Sequence, residues 1–171
     1  GGSFDVGESV AIQSDGRIVV AGISSANGNS NFAVARYNAN GTLDTTFGAD
    51  GRVTTEFGGN EDHGFSVAVQ GDGGIVVAGF SNAGGDYDLA LVRHNANGSL
   101  DTTFGAGGKV TTNFGGYELG YSMAIQGDGR IVVAGGYTAG GDYTYDFGVA
   151  RYNPNGSLDA TFGAGGKVTT N

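Results

Sequence analysis

The sequence predicts an all-β chain built from three four-stranded antiparallel units, and three observations lead there. One motif is written three times: Asp15-Gly16-Arg17-Ile18-Val19-Val20-Ala21-Gly22 returns as Asp72-Gly73-Gly74-Ile75-Val76-Val77-Ala78-Gly79 and as Asp128-Gly129-Arg130-Ile131-Val132-Val133-Ala134-Gly135, at registers of 57 and 56 residues. The 36 glycines recur at fixed places and separate runs of Val, Ile, Ala, Phe and Tyr, as turns separate strands. Helical periodicity is absent throughout. Self-similarity at this period means stacked or radially arranged supersecondary units.

In the first unit, residues 9–13 form a short predicted strand, and Ser14-Asp15-Gly16 is the tight turn behind it, with glycine supplying the positive φ that such hairpins need. A second strand over 17–22 runs back antiparallel. Its Ile18-Val19-Val20-Ala21 run is apolar on both alternating faces, so this strand is expected to be covered on both sides. After a loop over 24–31, Phe32-Ala33-Val34-Ala35-Arg36-Tyr37 gives a third strand, followed by the Asn40-Gly41 turn signal. Leu43 and Phe47 are expected to tuck inward along a connection that leads to a fourth and most polar strand over 52–57. Four antiparallel strands per unit, repeated over 1–57, 58–114 and 115–171, make the pattern of a β-propeller blade, three blades per chain. A β-helix solenoid is the second choice, because its coils usually have a shorter period.

The pattern of Ser9-Val10-Ala11-Ile12-Gln13, the Asp15 to Gly22 block, and Phe32 to Gly41 followed by Leu43-Asp44 and Thr46-Phe47-Gly48 recurs in all three copies, with single residues exchanged. This pattern resembles the bacterial delta-60 repeat family, an uncharacterised β-propeller-like repeat, over essentially the whole chain. Departures are small: Gly74 stands in place of Arg17, His94 in place of Tyr37, and the third copy has a longer loop over 140–146. The resemblance implies a secreted or cell-surface bacterial protein and transfers no catalytic residue.

Composition narrows the function classes. A formal net charge of -9, with Lys109 and Lys167 as the lysines, leaves no basic stripe for nucleic acid. No apolar run approaches the roughly 18 residues of a membrane helix, so no membrane insertion is expected. The absence of cysteine excludes disulfides, thiolate catalysis and Cys-ligated zinc.

Several motifs have simple structural explanations. Gly7-Glu8-Ser9, Gly64-Phe65-Ser66 and Gly120-Tyr121-Ser122 approach a nucleophile elbow, yet each opens a strand with no helix behind it. Gly108-Lys109 and Gly166-Lys167 lack the hydroxyl and the second glycine of a phosphate loop. Asn40-Gly41-Thr42, Asn97-Gly98-Ser99 and Asn155-Gly156-Ser157 are formal glycosylation sequons that tight turns explain. Asn38, Asn40 and Asp44 do not have calcium-loop spacing. Arg36, Arg93 and Arg151 end apolar strands and are expected to pair with a carboxylate such as Asp44. His63 and His94 occupy non-equivalent positions and form no paired site.

What remains is the variable loop between second and third strands, 24–31, 81–88 and 137–146, since loops that vary on a fixed scaffold are where binding usually resides. Asp86, Tyr87 and Asp88, with Asp142, Tyr143, Tyr145 and Asp146, combine rings with carboxylates and are the candidate ligand-binding residues. No catalytic residue, metal ligand or cofactor is expected. Three blades fall short of the roughly four to eight that close a ring, so either identical chains complete it or the chain is a segment of a longer array; the homo-oligomer is the first expectation, most simply a dimer completing six blades. The functional expectation is a non-enzymatic extracellular module acting as a structural or interaction scaffold for a protein or glycan partner. A glycan-binding propeller assembled from short chains is the alternative, and an enzyme comes third because no acid/base pair or nucleophile relay stands out.

Overall fold

The computed structural model describes residues 4–26, 28–139 and 144–171. Strands β1 (Phe4–Ile12), β2 (Ile18–Ala26), β3 (Asn29–Tyr37) and β4 (Arg52–Thr55) form the first sheet. The second holds β5 (Asp62–Val69), β6 (Ile75–Ser81), β7 (Asp88–His94) and β8 (Lys109–Thr112), and the third β9 (Tyr117–Ile125), β10 (Ile131–Thr138), β11 (Asp146–Tyr152) and β12 (Lys167–Thr170). In every sheet the spatial order follows the chain and every pairing is antiparallel.

Local chemistry sets these hairpins. The Asp15 carboxylate accepts the Arg17 backbone N–H at 3.0 Å while Gly16 takes a φ of 82°, and Asp72-Gly73 and Asp128-Gly129 repeat the arrangement. Each first strand carries a β-bulge at the position after its glycine, placing Glu8, Phe65 and Tyr121 outside the regular ladder.

Two apolar layers hold the sheets together. Val19, Ala21, Phe32, Val34 and Phe47 of the first blade pack on Val67, Ile75, Val77, Ala90 and Val92 of the second. The opposite face of the second, through Val76, Ala78, Leu89, Leu91 and Phe104, packs on Ile131, Val133, Ala150 and Tyr152 of the third. Successive blades meet through their first strands, β1 against β5 and β5 against β9. The sheets therefore converge along the first strands, as blades do around a propeller axis.

The structure corrects three readings. The first two strands and the third begin or end further out than the periodicity indicates, and the fourth stops at Thr55. Residues 24–26 and 29–31 are strand rather than loop: β2 continues through Ala26 and β3 begins at Asn29, with Ser24 paired to Asn31. The polar Ser and Asn residues there disguised a strand pair that is half-buried and fully laddered. Burial of the second strand on both faces holds for β6 alone, because β2 and β10 each have a neighbouring blade on one side only.

Candidate functional site

At the end of the array that carries the β6–β7 loop, strands and loop converge to form a ledge. His63 of β5 and Phe80 of β6 lie with ring centroids 4.7 Å apart, and Phe65 lies 5.6 Å from Phe80. Tyr87 meets Phe80 edge-on at 4.8 Å and stands 5.7 Å from Tyr117 of β9. Phe65 reaches across the blade boundary to Tyr121, 5.7 Å away. One aromatic row thus runs from Tyr121 through Phe65, His63 and Phe80 to Tyr87 and Tyr117. Phe80 within the row is buried, while Tyr117 and Tyr121 at its ends are 37% and 52% exposed. The bulges make this possible by turning Phe65 and Tyr121 out of the ladder toward each other.

Carboxylates border the row. The Tyr87 hydroxyl donates to the Glu61 carboxylate, and this bond, together with burial, raises the phenol's pKa. Asp86 is exposed beside it. Asp88 opens β7 and accepts the Asn113 amide at 2.8 Å; burial raises its pKa against that bond, and Asp86 adds to the rise. Glu118, buried in β9, is pushed up to about 7 by desolvation, against the opposing backbone donors of Phe114 and Gly116. One of its oxygens accepts the Gly116 N–H at 3.1 Å, and the other has no protein partner among the described residues. Burial lowers the His63 pKa against the charges of Glu61, Asp62 and Glu8.

Of the residues singled out from sequence, Asp86, Tyr87 and Asp88 stand at this ledge, Asp88 as a strand residue rather than a loop residue. Tyr145 and Asp146 line a shallow recess with Tyr121 and Phe147 on the outer face of the third blade, and Asp146 begins β11. Asp142 and Tyr143 lie outside the described residues. Sequence reasoning missed Glu61, His63, Phe65, Phe80, Tyr117 and Tyr121. A signal was available for two of them: Glu8, Phe65 and Tyr121 vary between a glycine and a serine that stay constant. Among the described residues, no group of three or more His, Asp or Glu side chains is placed to hold a metal ion.

A family model described as "Domain of unknown function (DUF5122) beta-propeller" matches residues 13–47, 70–104 and 126–162, more than half of the chain. The chain belongs to this β-propeller family. No curated protein matches it.

In this propeller many of the repeated polar residues are engaged by the blades themselves. Ser9 and Ser66 accept the backbone N–H of Val67 and Met123 in the following blade, at 3.2 and 3.1 Å. Lys109 and Lys167 donate to the carbonyls of Glu56 and Asn113 in the preceding blade. Asn40, Asn97 and Asn155 close their turns by accepting the N–H and hydroxyl of Thr42, Ser99 and Ser157. Asp44 binds the Thr46 hydroxyl and N–H as well as Arg36 at 2.8 Å, bonds that hold its pKa below the usual carboxylate range. Arg93 and Asp101, and Arg151 and Asp159, repeat that pair. His94 is buried between blades, near the Gly98 carbonyl and the Thr55 hydroxyl, and burial lowers its pKa.

Proposed function

We propose that this propeller is a non-enzymatic interaction module of a secreted or cell-surface bacterial protein, presenting the aromatic ledge to a partner. The observation that carries this reading is the partly exposed row from Tyr121 to Tyr117, bordered by Glu61 and Asp86. Aromatic surface with a polar margin suits recognition of a ligand with both apolar and hydroxylic faces. The likeness of the motif to delta-60 repeats supports the bacterial, extracellular setting. A carbohydrate ligand is the second reading, favoured by the exposed tyrosine rings at both ends of the row and the acceptor oxygens beside them.

Binding to arrayed glycans and to candidate surface proteins, measured for the parent chain and for Tyr117→Ala, tests the ledge. The substitution removes a partly exposed ring, so folding should survive at a cost of about 1 kcal/mol, while binding falls at least tenfold. Undiminished binding by Tyr117→Ala would place recognition elsewhere. Turnover of a glycoside or ester panel would overturn the non-enzymatic reading.

A further inference from the structure

The two blade interfaces inside the chain are built from the same parts, and those parts recur, unmatched, on the two outer faces. Each interface seats two knobs on two glycines. Phe32 and Leu89 of one blade lie over Gly64 and Gly120 of the next, where an added Cβ would come within 3.2 and 2.8 Å of them. Phe47 and Phe104 lie over Gly98 and Gly156, at 3.1 and 3.0 Å on the same measure. In the third blade the equivalent knobs are Phe147, 75% exposed, and Phe162. In the first blade the equivalent sockets are Gly7 and Gly41, and among the described residues no other blade's atom approaches either one.

Hydrogen bonds repeat in the same way. Ser9 and Ser66 accept from Val67 and Met123, while Ser122, their equivalent, is exposed, as is the Val10 that matches Val67. Gly48 and Gly105 donate to the carbonyls of Asn97 and Asn155 at 2.8 Å, which leaves the Gly163 N–H and the Asn40 carbonyl as the corresponding pair, unused among the described residues. Thr112 accepts the Tyr152 hydroxyl at 2.8 Å, and Thr170 with Tyr37 completes the series.

We propose that a second copy of this chain docks its first blade on the outer face of the third, with Phe147 seated on Gly7 and Phe162 on Gly41 of that copy. The surfaces are complementary because each is one half of an interface the chain already makes twice. Val10 N–H donates to Ser122 of the other copy, and Gly163 N–H to its Asn40 carbonyl. The contact is head-to-tail, so it either closes or grows without limit. Among multiples of three blades, six alone falls in the range of roughly four to eight that closed propellers use. Two chains therefore complete the ring through two symmetry-related copies of the contact. The association rests on no assumption about what the ledge binds, and by the repeat of the Phe65–Tyr121 contact it sets Tyr121 beside Glu8 of the other copy.

Light scattering of the 171-residue chain after size exclusion tests the proposal. The expected mass is twice the 17.1 kDa of one chain. Phe147→Lys and Val10→Lys each put a charge on an exposed outer face without touching the internal cores, so each should return a folded single chain by circular dichroism. Thr102→Lys, exposed on the middle blade, should leave the pair intact. The chain lacks cysteine, so mixed Val10→Cys and Phe147→Cys chains offer a second measurement with a short bismaleimide. They should cross-link to each other, because Val67 and Phe32 share one internal core, and neither should link to itself. A folded parent of single-chain mass, an open-ended series of masses, a pair that survives both lysine variants, or a pair without the mixed cross-link would each overturn the proposal.

Discussion

β6 of the middle blade is buried at every position from Ile75 to Ser81, whereas β2 and β10, with nearly the same residues, alternate between buried and half-exposed positions. The contrast is larger at single sites. Val67 is 7% exposed and Val10 is 63%; Leu89 is 4% exposed and Phe147 is 75%. The motif is written for a blade with a neighbour on each side, and within one chain only the middle blade has both. An apolar strand in this repeat therefore reports the ring for which it is suited, while its actual burial reports how much of that ring is present.

The largest expected effect falls on equivalent knobs. Leu89→Ala should cost about 2–5 kcal/mol in urea-induced unfolding, whereas Phe147→Ala, measured where the chain is monomeric, should stay within about 0.5 kcal/mol. Equal costs would erase the distinction between the middle and outer blades. A cost for Phe147→Ala that climbs with protein concentration would sharpen it.

Next come the repeated ion pairs. Arg36 and Arg17 both reach Asp44, and Arg151 and Arg130 both reach Asp159, but in the middle blade Gly74 takes the place of the second arginine. Arg93 compensates by spreading over Asp101, Asp72 and Gln70, through space that a side chain at position 74 would fill. Arg93→Met leaves Asp101 buried without a cation and should cost about 2–4 kcal/mol, against about 1–2 kcal/mol for Arg36→Met or Arg151→Met. Thermal unfolding of the three variants ranks them, and a lower cost at Arg93 would contradict this account.

A smaller, pH-dependent difference separates the third blade from the rest. Desolvation lifts Glu118 from 4.5 to about 7, so the folded state favours its protonated form. That contribution is complete below about pH 4.5 and is lost as pH rises through about 7. Glu118→Gln should therefore melt at a higher temperature than the parent at pH 8 and lose that advantage at pH 5. Burial lowers the pKa of His63 and His94, which tilts stability the other way with pH, so the difference between the two proteins is the quantity to follow. The least effect belongs to Tyr87→Phe, which deletes the bond to Glu61 and should cost about 1 kcal/mol or less in the same melts.

The blades were legible because turn chemistry and apolar runs repeat in register: Asp15-Gly16 predicts its hairpin, and the Arg36 to Asp44 pair follows from a charge at the end of an apolar strand. Strand ends were less legible where Ser24, Ser25 and Asn31 pair through backbone bonds that side-chain polarity does not reveal. Half of the ledge was legible as an aromatic and acidic loop around Tyr87. The other half was hidden because Phe65, Phe80 and Tyr121 sit within strand patterns, where an aromatic ring reads as core. Their convergence depends on bulges and on contact between blades, neither of which local spacing encodes.

The fourth strands carry a further consequence. β4, β8 and β12 are four residues long and begin with Arg52, Lys109 and Lys167, so each sheet's outermost ladder is brief and opens on a cation. Short, basic margins discourage another polypeptide from extending a sheet sideways. Growth by strand addition, the route to fibrous aggregates, is thus disfavoured at the rim, and encounters between chains are directed to the flat apolar faces, where register is dictated by knobs and glycines.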